Sequence, residues 1–228
     1  MSTRYETIDA GDGRSFQGYV SEPARPNGHA VILLQEIFGV TRHVRGVADR
    51  FAEDGYLAVA PDLFWRMAPG VELSHSKEDI DKAMGFLKRY TDDEGLADIR
   101  ATARHLRQRA GFTGKVAVAG LCLGGKLAYL AATLPEVDAA VAFYGVGIET
   151  RLDVAAEVRC PLLMHFGAQD AYVSESARAA IALSLAAARP EIHVYSEAGH
   201  GFYTRGAAAD IDTARQRTNG FQQHALGG

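Results

Sequence analysis

Cysteine is scarce in this chain. Cys122 and Cys160 are the only two among 228 residues. They are too few for a disulfide framework and form no C-x-x-C pair, so a reducing cytoplasm is the expected location. No grouping of Cys and His has the spacing of a zinc site, so no metal is expected. No apolar run approaches the roughly 20 residues that a membrane-spanning helix needs. The opening Met1-Ser2-Thr3-Arg4-Tyr5 offers no apolar signal segment. Neither sign of charge dominates: 24 Lys plus Arg against 28 Asp plus Glu leave a formal net charge of −4. That balance argues against nucleic acid or an anionic membrane as partner. Repeats, low-complexity tracts and linkers are missing too. Residues 1–228 are therefore expected to form one domain, long enough to bury a sizeable core.

Strand-like and helix-like runs alternate along the chain. Residues 5–8 and 14–20 read as strands joined by a Gly11-Asp12-Gly13 turn. Ala30 to Leu34 is continuously apolar, as in a parallel strand covered on both faces. A helix is expected over 43–54, a strand over Leu57 to Ala60, and a loop over 62–76 long enough to be a lid or pocket wall. Helices over about 77–90 and 94–109 precede a strand at 115–120 and a helix at 122–132. Strands at Ala139 to Phe143, Pro161 to Phe166 and Ile192 to Tyr195 follow, with helices near 174–188 and 210–224. This alternation implies an α/β fold with a mostly parallel central sheet and helices on both faces.

The most informative stretch is Lys115 to Tyr129. A Val/Ala run ends in Gly120-Leu121-Cys122-Leu123-Gly124, and a helix-forming run begins at once. This is the layout of a nucleophile elbow, G-x-S-x-G with Cys122 in place of serine. A helix N-terminus there would favour a thiolate. Two other readings compete. A single cysteine is often a small buried hydrophobe. Gly120 to Lys126 also matches G-x-x-x-x-G-K, but Leu127 stands where a phosphate loop needs Ser or Thr for magnesium.

Downstream residues favour the elbow. Gly167-Ala168-Gln169-Asp170 follows one strand and Glu197-Ala198-Gly199-His200-Gly201-Phe202 follows the next. Sites in open α/β sheets form at the carboxyl ends of strands. Cys122, Asp170 and His200 fall in the order nucleophile, acid, histidine, that of α/β-hydrolases. Alone, Asp170 could be a turn residue and His200 a solvated loop histidine; the joint order and placement favour a triad. Glu36 follows a buried strand, where a solvated charge is the ordinary case. If that strand neighbours the elbow strand, Glu36 lies near Cys122. The backbone N–H groups of Ile37 and Leu123 would then form an oxyanion hole.

Seven motifs together resemble the dienelactone hydrolase family. They are Gln35-Glu36-Ile37-Phe38-Gly39-Val40, Pro61-Asp62-Leu63-Phe64, Ala68-Pro69-Gly70, Gly120-Leu121-Cys122-Leu123-Gly124-Gly125, Phe143-Tyr144-Gly145-Val146-Gly147, Gly167-Ala168-Gln169-Asp170 and Ala198-Gly199-His200-Gly201-Phe202. The resemblance implies an α/β-hydrolase fold, a Cys-His-Asp triad with a glutamate beside the thiol, and hydrolysis of a dienelactone (carboxymethylenebutenolide) to maleylacetate. It implies no cofactor. Phe38, Tyr144 and Arg205 are the expected substrate contacts. The family's carboxylate-binding arginine and its tyrosine neighbour, on the helix after Ala-Pro-Gly, are missing from Glu78 to Met84. A second family arginine falls on Thr204, with Arg205 one place further on. Lys82 and Arg66 are the other cations that could hold a carboxylate.

Cys122 is thus expected to be the nucleophile, His200 the general base and Asp170 its orienting partner, with Glu36 governing the resting thiol. A thiolate is itself a good leaving group, so the expected substrates are esters with stabilised leaving groups: enol lactones, aryl esters or thioesters. The expected partner is therefore a small lactone or ester, met by a monomer. A general carboxylesterase or thioesterase of the same fold is the alternative, as is a binding protein derived from it.

Overall fold

The Gly11-Asp12-Gly13 turn closes a hairpin. Strand β1 (Ser2–Asp9) runs antiparallel to β2 (Ser15–Glu22), with Ser2 opposite Glu22 and Asp9 opposite Ser15. Short side chains bend the turn: Asp9 Oδ1 accepts the Gly11 N–H at 2.8 Å and Asp12 Oδ1 the Arg14 N–H at 3.1 Å. The computed structural model describes residues 1–227. The chain divides into two compact units, one through Val116 and one from Ala117.

In the first unit the strand order is β1-β2-β4-β3, with β3 at Ala30–Leu34 and β4 at Leu57–Pro61. Strand β2 pairs antiparallel with β4, and β4 parallel with β3. Every residue of β3 is buried, which requires cover on both faces. Helices α1 (Arg42–Glu53) and α3 (Asp92–Arg107) both lie against β3 and β4. Burial of each Val, Ile or Leu contributes about 1.5–3 kcal/mol. Helix α2 (Lys77–Leu87) buries only Ala83 completely. It is separated from α3 by a capping box, in which the Thr91 side chain accepts from the Glu94 N–H and Glu94 accepts from the Thr91 N–H. Three acidic residues in the first turn of α3 and three basic ones in its last match the helix dipole.

The second unit holds β5 (Val116–Leu121), β6 (Ala139–Phe143), β7 (Leu162–Gly167) and β8 (Glu191–Tyr195), adjacent in that order and all parallel. Strands β5, β6 and β7 are buried throughout. Helix α4 (Leu123–Ala131) lies against β6, and the long α7 (Ala208–Leu226) against β6 and β7. Helix α5 (Glu175–Ser184) precedes β8. The expected mostly parallel α/β architecture is what the two units contain. Two elements go beyond the sequence reading. A 3-10 helix spans Ile148–Glu157 with a kink at Arg151, and a one-turn helix, α6, spans Phe202–Arg205. Neither is long or regular enough to show a 3.6-residue period. Among the described residues no helix is long and apolar enough to cross a membrane.

The loop at 62–76 is tied down. Asp62 Oδ1 accepts from Phe64 N–H at 3.0 Å and Oδ2 from Gly70 N–H at 2.7 Å. Burial raises the Asp62 pKa, and these two bonds work against that rise. Arg66 grips Asp98 through two nitrogens at 2.8 and 2.9 Å. Trp65 Nε1 donates to the same carboxylate at 3.1 Å, and the Arg66 guanidinium lies 4.2 Å above the Trp65 ring. A half-buried arginine held in this bidentate, stacked way is committed to a structural contact.

Candidate active site

Strand β5 delivers its last residue directly into Cys122, which has φ 56° and ψ −110°. A non-glycine residue in that region costs about 1–3 kcal/mol, so the surroundings must hold it. They do so from two sides. The Cys122 N–H donates to Phe143 O at 3.1 Å; Cys122 O accepts from Lys126 N–H at 3.2 Å and Val146 N–H at 3.4 Å. The elbow also requires small neighbours: any Cβ at Gly120 would collide with the Gly124 carbonyl. Helix α4 begins at Leu123 with no side-chain cap. Its first N–H groups have no partner inside the helix.

Four parallel strands place the other residues along the same edge, each just past a carboxyl end. Cys122 follows β5, Tyr144 follows β6, Asp170 lies three residues past β7, and His200 five past β8. The structure brings Asp170 and His200 together: His200 Nδ1 lies 2.9 Å from Asp170 Oδ2. A carboxylate only accepts, so Nδ1 carries the proton and Nε2 of the neutral ring is left as the basic nitrogen. The Asp170 side chain is fully buried and that of His200 is half-buried.

Tyr144 is completely buried, with its ring edge-on to His200 at 5.0 Å between centroids and to Phe202 at 5.7 Å. Its backbone N–H donates to His165 O at 2.7 Å. Tyr144 therefore links the elbow, through its neighbour Phe143, to the histidine. Arg205, at the end of α6, is exposed. Its guanidinium lies over the backbone of Gly201, where a Cβ would strike it, and its Nη1 donates to Thr204 Oγ1 at 3.2 Å.

Glu36, Ile37 and Phe38 form a separate group after β3. Glu36 is only 3% exposed and Ile37 is half-buried. The Phe38 ring packs on His75 with centroids 4.3 Å apart, and Phe38 O accepts from Leu73 N–H at 2.9 Å. Gly39, with φ +87°, approaches the Val71 carbonyl so closely that no side chain would fit. The loop that carries Glu36 and Ile37 is thus braced by the segment around residues 71–75. Glu72 adds to the brace by accepting from Arg42 N–H at 3.0 Å and from Arg45 Nη1 at 2.8 Å.

Lys82 and Arg66 are both engaged elsewhere. Lys82 Nζ lies 2.9 Å from Glu78, and Arg66 is held by Asp98. Cys160 sits at the opposite, amino end of β7, where burial pushes its thiol pKa up to about 12. It remains an ordinary protonated side chain. The sequence reading missed Tyr172, whose N–H donates to Asp170 Oδ1 at 2.8 Å and whose ring lies 4.8 Å from His200. The signal was available, because an Asp at a turn commonly accepts from the backbone two residues on.

Known proteins resemble this chain over nearly its whole length. The model of the dienelactone hydrolase family matches residues 16–224. The carboxymethylenebutenolidase of Pseudomonas putida is 36% identical over 222 residues, covering 96% of this chain and 94% of its own length. That of Pseudomonas sp. strain P51 is 37% identical over 221 residues, covering 96% and 92%. A solved Klebsiella pneumoniae protein assigned as a dienelactone hydrolase superposes with a TM-score of 0.82 at 28% identity, covering 98% of this chain and all of that one.

Proposed function

The chain belongs to the dienelactone hydrolase family and is a hydrolase of ester or lactone bonds, and on that premise we propose that Cys122 is its nucleophile and an enol lactone its substrate. The observation that carries this reading is the pairing of a strained, tightly held Cys122 with a buried Asp170–His200 couple on one strand edge. Strain of this kind persists where a side chain must be presented.

In the proposed reaction His200 Nε2 takes the Sγ proton and the thiolate attacks the carbonyl carbon. The Leu123 N–H, and the Ile37 N–H from the other loop, stabilise the oxyanion. Collapse breaks the ring C–O bond, and the departing enol oxygen takes the proton from His200. Water, deprotonated by His200, then attacks the thioester and returns the thiol. For the lactone carboxymethylenebutenolide the product is maleylacetate. Asp170 keeps the imidazole in the correct tautomer and stabilises the imidazolium. Glu36 holds the resting thiol until substrate displaces it. Two free cysteines suit work in a reducing compartment.

The test is a panel of dienelactone, aryl acetates and acyl thioesters, run with titration of the thiols. Stoichiometric alkylation of Cys122 should abolish turnover, while the protonated Cys160 reacts slowly. Turnover of dienelactone at a kcat/KM far below that of aryl esters or thioesters would favour the general esterase or thioesterase reading. No turnover of any of them would leave a binding protein.

A further inference from the structure

Two tyrosine rings pack on the imidazole of His200. Tyr144 stands at 5.0 Å and 71° and is fully buried; Tyr172 stands at 4.8 Å and 66° and is 66% exposed. The buried ring is part of the frame. The exposed one is a large apolar surface left in water beside a reacting group. It is also held in place: one carboxylate accepts the Tyr172 N–H through Oδ1 at 2.8 Å and the His200 Nδ1–H through Oδ2 at 2.9 Å. The backbone that carries the ring is therefore tied to the same carboxylate as the histidine.

We infer that Tyr172 is a specificity-determining residue of this site, whose ring selects esters and thioesters with a flat, unsaturated leaving group. The inference rests on the reading of His200 as general base. In acylation the Sγ–C bond forms, the bond from carbonyl carbon to the leaving oxygen or sulfur breaks, and the His200 proton goes to the leaving atom. That atom must come within about 3 Å of Nε2. What is attached to it is then inferred to meet the Tyr172 ring, whose centroid lies 4.8 Å from that of the imidazole. Planar groups pack on an aromatic ring at centroid distances of about 4.5–7 Å, and a puckered saturated ring makes a poorer fit. The Tyr172 ring also faces the imidazolium that forms during reaction. That contact would help every substrate equally, so a ratio between substrates separates the two effects.

S-phenyl and S-cyclohexyl thioacetate share an acyl group and a ring size and differ in planarity. Their kcat/KM values would be measured on the wild type, Tyr172→Ala and Tyr172→Phe. In Tyr172→Ala the phenyl-to-cyclohexyl ratio should fall by roughly fivefold to tenfold, mainly through KM, and Tyr172→Phe should restore it. An unchanged ratio in Tyr172→Ala, with both substrates slowed together or neither slowed, overturns the inference and reduces Tyr172 to a support for His200. If the wild type acylates with neither thioester, the failure is that of the nucleophile reading, because no ratio then exists. Tyr172 is mostly exposed, so Tyr172→Ala should fold, and matching Tm values would check this.

Discussion

The Phe143 carbonyl accepts the Cys122 N–H at 3.1 Å, so the last residue of β6 holds the turn that presents the thiol. Phe143 is itself clamped. Its ring stacks on Tyr203 at 4.1 Å and on His165 at 4.8 Å, both nearly parallel. Tyr203 belongs to α6, which begins two residues past His200, and His165 belongs to β7, which leads to Asp170. The packing that supports the elbow thus comes from the same segments that deliver Asp170 and His200.

The Cys122 backbone should make activity and stability separable. Cys122→Ala keeps the strained φ of 56° and loses the thiol; Cys122→Gly loses the thiol and relieves the strain. Both should be inactive, with turnover reduced by about 10⁴ or more. Cys122→Gly should nevertheless be more stable than Cys122→Ala by about 1 kcal/mol, the strain of a positive φ less the entropy cost of glycine. Equilibrium urea unfolding of the two variants measures this. Equal stabilities would mean the turn relaxes once the sulfur is gone.

Much of the fold and the Asp170–His200 pairing could be read from the sequence because the signals are local. The Val/Ala run of β5 needs two covered faces, glycines must flank the elbow, and Asp170 and His200 must follow strand ends. What could not be read depends on distant partners. Nothing near Asp98 announces that Arg66 and Trp65 will meet it, yet that contact occupies the Arg66 guanidinium. Nor does the sequence near His165 announce Tyr195 and Thr218, which come from β8 and α7. Tyr144 matched a family motif, but only the structure places its whole ring against His200.

Glu36→Gln probes control of the thiol. Glu36 is almost wholly buried on a braced loop, so removing its charge should leave the fold intact. If Glu36 governs Cys122, the variant should alkylate with iodoacetamide at a different rate and with a shifted pH dependence around the ordinary thiol value of about 8.5. Superimposable rate profiles for variant and wild type would remove Glu36 from the site.

Of the three cations considered for a substrate carboxylate, Arg66 and Lys82 lie against acidic side chains, which makes Arg205 the one to test. A charge-assisted hydrogen bond contributes about 1.5–3 kcal/mol, or roughly tenfold to a hundredfold. The wild type should therefore prefer a dienelactone free acid over its methyl ester by no more than about a hundredfold. Arg205→Ala should remove most of that preference. Measured kcat/KM for acid and ester on both proteins gives the ratio, and an unchanged ratio would mean that Arg205 is only a solvated surface charge.

His165 should make the protein sensitive to acid. It is completely buried, with Nδ1 3.0 Å from Tyr195 Oη and Nε2 3.1 Å from Thr218 Oγ1. Burial, then the nearby His193 and Arg217, lower its pKa from the usual 6.5 to about 3. The folded state therefore stays neutral where the unfolded state takes up a proton. Below about pH 6.5 the unfolded state binds more protons, so stability falls as the pH falls, and it keeps falling until the folded pKa near 3 is reached. The slope approaches about 1.4 kcal/mol per pH unit for one proton. His165→Gln can keep neutral hydrogen bonds to Tyr195 and Thr218 but cannot titrate. It should start less well packed against Phe143, yet between about pH 6.5 and pH 4.5 it should lose roughly 2–3 kcal/mol less than the wild type. Urea unfolding of both proteins across that range tests the idea. Parallel losses would mean that groups other than His165 carry the acid sensitivity in this range.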